Sequence, residues 1–300
     1  MRNKLSIPVA LICLISLYAC NASKKTMAVP APANISSKEA SKAAIVLNIG
    51  QKVIVSSSSN TDTDMGMGMQ MKNSSLATNV LQIISTNDTG YTISNTLTKM
   101  SISMDMMGQE TNYDSEKEAD KDSEIGKGIA TKLNHTDTFS VDKMTGLVNM
   151  KSTISSPEKE EKNPMTEIMG AMGVSAGKDP SLEAAFFIIP KDKKIGDSWN
   201  DSTIEKNFKT VRQFTLQAIN NDIATIAVKG SVTGNGEAEV QGTSIAFTMN
   251  TKNTAEILVN TKSSLVNKMS NDAEITMTMD MMGQTMPISS KNTQTIIFQY

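Results

Sequence analysis

Residues 274–279 read Glu-Ile-Thr-Met-Thr-Met, so that apolar and polar side chains alternate one by one. Successive side chains of a β-strand point to opposite faces, and such alternation is typical of a strand with one buried face. Similar runs rich in Ile, Val, Thr and Met recur from Ala44 to Tyr300, separated by Asn, Asp, Gly or Ser clusters. We therefore predict a mainly β fold (β-rich α+β) with long antiparallel strands.

Turn-forming residues separate these runs. Hairpin turns are predicted at Asn87–Gly90, Asp142–Gly146 and Asn220–Asp222, because Asn, Asp and Gly tolerate turn dihedral angles. Two helix starts, Asn163-Pro164 and Asp179-Pro180, lie between the two groups of strands. We predict short helices there.

Three short signatures recur in the same order in both halves of the chain. They are Ile49-Gly50-Gln51 with Ile195-Gly196-Asp197, Leu81-Gln82 with Leu216-Gln217, and Leu147-Val148-Asn149 with Leu265-Val266-Asn267. A tandem repeat with a longer first copy explains both the order and the changing offset. We predict two related lobes, residues 45–155 and 191–300, whose strands form curved sheets or half-barrels. A helical inter-lobe segment, 156–190, connects them.

The N-terminus has the pattern of an export signal. A basic start leads into an apolar run that ends at Leu17-Tyr18-Ala19-Cys20. This run resembles the signal peptide of bacterial lipoproteins, which implies cleavage after residue 19 and lipidation of Cys20. Residues 20–44, rich in Ala, Ser, Lys and Pro, are predicted to be a disordered tether. Asn21 after the cysteine favours the outer membrane over the inner one under the familiar sorting rule.

Charge and cysteine content limit the function classes. The chain has 29 basic and 31 acidic residues, which argues against nucleic-acid binding. Cys13 lies in the predicted signal, so the mature chain would keep no thiol for a disulfide. The expected partners are a membrane, through the lipid anchor, and an apolar ligand; the sequence indicates no particular protein partner.

Methionine is unusually frequent, with 22 residues of which thirteen lie in three clusters. Flexible Met side chains suit an adaptable apolar cavity, and this is the hypothesis we favour. Its candidate ligand-binding residues are Met104, Met106, Met277, Met279, Met281 and Trp199. The alternatives are plain apolar filling of the strands and a Cu(I) site, since thioethers bind soft metals. The hexapeptide Met-Asp-Met-Met-Gly-Gln, at 104–109 and again at 279–284, is predicted to turn a hairpin in each place.

Apart from the methionine clusters, no pattern in the sequence indicates a metal site, and none indicates catalysis. The acidic run Asp114–Glu124 lacks a glycine at the sixth position of a calcium loop, and Lys residues dilute its charge, so we predict a solvated loop. His135 is the sole histidine and has no nucleophile spacing around it. We predict a protein that is not an enzyme and uses no cofactor.

Residues 186–199 read Phe-Phe-Ile-Ile-Pro-Lys-Asp-Lys-Lys-Ile-Gly-Asp-Ser-Trp. This segment resembles the Gly-Asp-x-Trp inter-lobe segment of an uncharacterised family of exported bacterial proteins. The resemblance implies a two-lobed β-rich architecture and assigns no activity. The predicted function is thus a non-catalytic cell-envelope lipoprotein that binds a lipid or other apolar ligand. A structural or protein-interaction lipoprotein of the outer membrane is the alternative, and a periplasmic Cu(I)-binding protein is the third.

Overall fold

A computed structural model describes residues 45–66, 68–130, 132–150, 180–205, 207–240, 243–281 and 284–300. The predicted signal peptide, Cys20, the tether and the helix at Asn163-Pro164 lie outside the described residues.

One sheet accounts for nearly all of the regular structure. Its described strands are β1 (Lys52–Asp64), β2 (Gln70–Thr86), β3 (Gly90–Met106), β4 (Gln109–Asp114), β5 (Thr136–Asp142), β6 (Val148–Met150), β7 (Ser198–Glu205), β8 (Phe208–Asn220), β9 (Ile223–Val240), β10 (Thr243–Asn260), β11 (Val266–Met281) and β12 (Gln284–Gln299). They pair in the order β6-β5-β3-β2-β1-β12-β11-β10-β9-β8-β7, and β4 pairs with β3. The sheet is curved and unclosed, which confirms the predicted mainly β fold with curved antiparallel sheets.

The two predicted lobes correspond to β1–β6 and β7–β12. They meet where β1 pairs with β12, over Ile54–Asp64 and Ser289–Gln299. The sheet therefore continues from one lobe into the other. The predicted hairpin turns connect β2 to β3, β5 to β6 and β8 to β9.

Equivalent hydrogen bonds relate the two halves. They are Gly50 N to Ile83 O (2.8 Å) and Ile83 N to Gln51 O (3.0 Å) in one half, and Gly196 N to Leu216 O (2.7 Å) and Leu216 N to Asp197 O (3.0 Å) in the other. Both glycines have positive φ, +83° and +94°. Ile83 is thus the equivalent of Leu216, two residues beyond the Leu81 that the sequence signature pairs with it.

The third signature also has the same geometry in both halves. The Asp142 carboxylate accepts bonds from the N–H groups of residues 144 and 145, and the Asn260 side-chain oxygen accepts bonds from those of residues 262 and 263. Gly146 and Ser264 then take positive φ, +70° and +59°. The repeat read from the sequence is therefore a repeat of structure.

Helix is scarce in the described residues. It comprises a 3-10 turn at Glu118–Asp120 and the short helices α1 (Glu124–Ala130) and α2 (Pro180–Glu183). The 3-10 turn lies in the acidic run that we predicted to be a loop, and α1 begins at the last residue of that run. Ser123 caps α1 by accepting a hydrogen bond from the Gly126 N–H. This cap accounts for the start of the helix, which the pattern of charged residues did not indicate.

Buried side chains share one face of the sheet, which we call the inner face. At the end of the sheet that carries the β2–β3 and β8–β9 turns, they form a continuous apolar core. Leu182, Ala185 and Phe186, from the predicted inter-lobe segment, complete this core. We call this the core end.

Candidate functional site

Two groups of methionines lie on the inner face toward the end opposite the core end, one on β2 and β3 and the other on β10, β11 and β12. The buried Thr63 and Ser290, whose hydroxyl oxygens are 2.9 Å apart, lie between the two groups in the row of Met71. Cross-strand pairing places Met71 opposite Met106, Met249 opposite Met277, and Met279 opposite Met286. Directly opposed side chains in a sheet have Cβ atoms about 4.5–5.5 Å apart, so each pair is in reach of contact. We call these six residues and Met104 the methionine end.

The methionine end is buried in its centre and partly exposed at its rim. Met71, Met249 and Met277 are buried, with 1%, 6% and 8% of their surface exposed. Met104, Met106, Met279 and Met286 are half-buried. The rim thus offers apolar, flexible side chains to an incoming molecule.

Local structure explains why Met104 and Met106 face inward. The register between β2 and β3 shifts between Thr78 and Asn79, so that the even-numbered residues of β3 face inward beyond this bulge. The β3–β4 hairpin then turns through Met107 and Gly108, whose φ angles of +55° and +80° suit a two-residue turn. The first copy of the repeated hexapeptide is therefore a hairpin, as predicted.

The predicted site residues fall into two groups. Met104, Met106, Met277 and Met279 lie at the methionine end. Met281 is the last residue of β11, and its side chain is outside the described set. Trp199 lies elsewhere. The row of paired residues that runs from Trp199 across β8, β9 and β10 reaches β11 at Asn271. Asn271 is six residues, or about 20 Å, along the strand from Met277.

Trp199 belongs to an aromatic cluster at the core end. Its ring stacks on Phe214 with centroids 5.5 Å apart, and Phe187 lies 6.5 Å from Trp199. Trp199 is half-buried against the apolar core. The contacts are those of a strand anchor, so the structure does not bring Trp199 and the methionines into one site.

A row of polar residues crosses the inner face next to the core end, and it begins beside Met104, which lies directly opposite Asn73. The pairing places Asn73, Thr61 and Asn292 side by side in one part of the row, and Asn253, Gly230, Arg212 and Asp201 in the other. Together with Thr251, Asn271 and Gln294 we call these residues the polar belt. Sequence reasoning missed it, although Asn271 is in phase with the apolar Met269, Ala273 and Ile275.

The charged members of the polar belt are Arg212 and Asp201. The Arg212 Nη2 lies 2.5 Å from the Asp201 Oδ2, and the Arg212 side chain is only 7% exposed. Its guanidinium carbon also lies 5.9 Å from the centre of the Phe214 ring. A buried arginine held in this way is costly to desolvate and needs good partners at all its nitrogens.

Four buried polar atoms of the belt have no hydrogen-bond partner in the protein. They are Arg212 Nε, Thr251 Oγ1, Asn271 Nδ2 and Gln294 Oε1. An unmatched buried polar group costs about 1–3 kcal/mol, so these positions are costly for the fold.

The opposite, outer face is polar and carries a groove of about 620 Å³. Its walls are two rows of mostly exposed residues, Thr233, Asn250, Thr276, Ser289 and Asp64 on one side, and Asn235, Thr248, Thr278, Pro287 and Gly66 on the other. Gly234, Met249, Met277 and Ile288 line it between these rows. Because the side chains of the last three are buried on the inner face, their backbone forms the floor.

The described residues contain no cluster of three or more His, Cys, Asp or Glu that could hold a metal ion. His135 lies 3.5 Å from the Asp137 carboxylate, and both side chains are about half exposed. In the same part of the chain, no helix has the length and apolar character to span a membrane.

Fold and site together define a protein made of one curved antiparallel sheet, whose inner face divides into an apolar core, a polar belt and a methionine end. The chain belongs to a family of unknown function (DUF6263), whose model matches residues 88–266. No curated protein matches the chain in sequence.

Solved structures with similar strand arrangements are distant. A structure of lipovitellin and its lipid–protein interactions has a TM-score of 0.47 and 7% identity over 84% of this chain, which spans about a quarter (25%) of that protein. The COG4313 outer membrane channel from Pseudomonas putida F1 has a TM-score of 0.28 and 8% identity, over 87% of this chain and 100% of the channel. A mutant Rh. blastica porin has a TM-score of 0.25 and 7% identity, over 83% and 100%. All three TM-scores are under 0.5, so we draw no functional argument from them.

Proposed function

We propose that this protein is a non-catalytic lipoprotein of the bacterial cell envelope that binds a lipid or another apolar molecule at its methionine end. The observation that carries the proposal is that methionines from β2, β3, β10, β11 and β12 lie toward the same end of the inner face. The signal-like N-terminus and Cys20 support export and anchoring.

The rim of the methionine end supplies the contacts for such a ligand. Met104, Met106, Met279 and Met286 are half-buried, so a bound apolar molecule would remove further apolar surface from water. Methionine has three rotatable bonds and adapts to ligands of different shape. A site of this kind selects for apolar character more than for one exact structure.

The test is binding of a fluorescent naphthylamine probe to the full chain and to variants with a charge at the rim. We expect Met106→Asp and Met279→Asp to weaken binding at least about tenfold, because an apolar ligand would desolvate the new carboxylate. Met107→Asp is the matched control: Met107 is 67% exposed in the adjacent turn, where Asp tolerates the positive φ. Undiminished probe binding by both rim variants would refute the proposal.

A structural or protein-interaction role in the outer membrane is the second candidate. The tight burial of side chains at both ends of the inner face supports it, since Met71 and Ile296 are 1% and 0% exposed. Native mass spectrometry of the purified full chain separates the candidates. An added acyl-lipid mass supports binding, the bare polypeptide mass supports the structural role, and a copper increment supports a Cu(I) site on the paired thioethers.

A further inference from the structure

Exposed apolar side chains are concentrated at the core end. In the described ranges, fourteen large apolar residues have 38% or more of their surface exposed, and ten of them lie in or beside the turns of the core end. The four exceptions are Leu76, Met107, Ile204 and Val211. Single exposed apolar residues are common on protein surfaces, but a concentration of them at one end indicates a contact surface.

The repeat places an exposed isoleucine at this end in each half. Ile49 and Ile195, 63% and 59% exposed, both precede the positive-φ glycine of the first repeated signature. The hydrogen bond from the Gly50 N–H to the Ile83 carbonyl oxygen brings Ile84, 48% exposed, next to Ile49. These side chains add little to the buried core, so packing within the sheet does not require them to be apolar.

A third exposed apolar site lies between the two halves. The Ile45 N–H donates to the Lys143 carbonyl oxygen at 3.0 Å, and the Val46 N–H donates to the Ser263 carbonyl oxygen at 3.2 Å. The segment that begins at Ile45 therefore passes between the two equivalent turns. Val46 and the neighbouring Met144 are 53% and 44% exposed. Apolar side chains are thus presented from both halves and from the middle of this end.

The chain also enters the sheet at this end. Ile45 is 0% exposed in the apolar core, and it lies 25 positions after Cys20. Twenty-five residues extend at most about 80–90 Å. To bring the methionine end to an anchoring membrane instead, the chain would have to run back along the strands, about 54 Å for the 16 residues of β11. An anchor at Cys20 therefore brings the core end to the membrane first.

Charge favours the same orientation. Lysines and aspartates are both frequent in the core-end turns, and residues 191–194, directly before Ile195, include three lysines that can reach lipid phosphates. The turns at the opposite end carry Asp64, Glu237 and Asp280. A phospholipid surface that contains anionic lipids repels such carboxylates.

We propose that the core end is a docking surface for the phospholipid membrane that holds the lipid anchor, with Val46, Ile49 and Ile195 inserted at the level of the head groups. This inference rests on the anchor in the proposed function and adds an orientation to it. The methionine end then points away from that membrane, where it can receive an apolar molecule from the aqueous compartment.

The experiment measures which end of the sheet touches lipid in the lipidated full chain, incorporated into vesicles of phosphatidylethanolamine and phosphatidylglycerol with or without brominated lipid. Trp199 is the sole tryptophan, and Trp199→Phe keeps an aromatic ring in its cluster, which circular dichroism can check. In that background Ile195→Trp reports on the core end. Ile204→Trp, at a position 75% exposed near the far end of β7, is the matched control.

We expect brominated lipid, which quenches tryptophan only at close range, to remove most of the fluorescence of Ile195→Trp and little of that of Ile204→Trp. Adding Ile49→Asp should restore much of the Ile195→Trp fluorescence, because insertion would desolvate the new carboxylate. Leu76→Asp, at an exposed position on the outer face of β2, should restore none. Equal quenching of the two tryptophans, or no quenching of Ile195→Trp, would overturn the docking surface.

Vesicle flotation separates this failure from failure of the proposed function. A chain that floats with the vesicles while Ile195→Trp stays unquenched keeps its anchor and has no docking surface at the core end. A chain that does not float has neither. Binding of the naphthylamine probe tests the methionine end independently of both.

Discussion

Replacing Thr251 by valine tests whether the polar belt really contains unmatched groups. The Thr251 hydroxyl is buried, with the residue 4% exposed, and has no hydrogen-bond partner in the protein. Valine has nearly the same shape and no hydroxyl. Removing an unmatched buried polar group recovers its desolvation penalty, about 1–3 kcal/mol.

We therefore expect Thr251→Val to raise the free energy of unfolding of the ligand-free protein by up to about 1–3 kcal/mol. At about 2–4 °C per kcal/mol for a chain of roughly this size, the melting temperature should rise by several degrees. Urea unfolding, monitored by far-ultraviolet circular dichroism, gives the free energy directly if the slope with urea is unchanged.

Thr61→Val provides the matched comparison. Thr61 is also buried on the inner face, at 2% exposure, but its hydroxyl accepts a hydrogen bond from the Asn292 amide at 2.7 Å. The same substitution there should destabilise the protein by about 1–3 kcal/mol, because it removes a bond that is made. Equal destabilisation by the two substitutions would show that Thr251 has a partner, and the reasoning on the belt would fail.

Three further predictions follow from particular residues. Gly90→Ala should lower the free energy of unfolding in urea by about 1–3 kcal/mol, because the new Cβ would lie 2.4 Å from a backbone carbonyl oxygen. Gly128→Ala in α1 meets open space and should raise the free energy of unfolding by about 0.5–1 kcal/mol. Burial raises the pKa of Asp142, but hydrogen bonds from residues 144 and 145 outweigh this effect and hold the pKa below the ordinary 3.8. The ionised Asp142 therefore stabilises the folded protein above pH 3.8, and this stabilisation is lost as the pH falls through the pKa of the folded state. Asp142→Asn should remove this part of the acid dependence, and an unchanged acid limb in pH-dependent melting would contradict it. The double change Asp201→Val with Arg212→Asn copies the equivalent positions of the first half, so the variant should still fold. A far-ultraviolet circular dichroism spectrum of an unfolded chain would contradict the equivalence.

The fold class could be predicted from the sequence because alternation and turn residues act locally. In residues 274–279 each apolar side chain faces inward and each polar one outward, as the pattern requires. Strand order could not be predicted, since the β1–β12 pair joins residues as far apart in sequence as Ile54 and Gln299. Nothing local distinguishes that partner from another alternating strand.

The candidate site was predictable in part for the same reason. Alternation placed Met277 and Met279 on one face of the sheet. The bulge in β3 determines which face Met104 and Met106 occupy, and no local sequence pattern indicated that bulge. The polar belt was missed because Asn and Thr in a strand suggest an exposed face. The sequence did contain an indication of the belt. Arg212 occupies the same phase of the strand alternation as the buried Phe208, Phe214 and Leu216.

The repeat shows which features of the belt the architecture itself needs. Hydrogen bonding makes Ile83 the equivalent of Leu216, and Gly50 the equivalent of Gly196. Continuing along the paired strands, the Asp201–Arg212 pair corresponds to Val55–Asn79, which also lie directly opposite each other.

Both residues of that first-half pair are buried, Val55 at 0% and Asn79 at 3% exposure. A valine and an asparagine therefore satisfy the same place in the same kind of sheet without any charge. Arg212 is buried and the Asp201 side chain is 45% exposed. Because burying one charge of such a pair costs desolvation energy that a neutral pair avoids, the architecture of the repeat gives no reason for the charged pair in the second half.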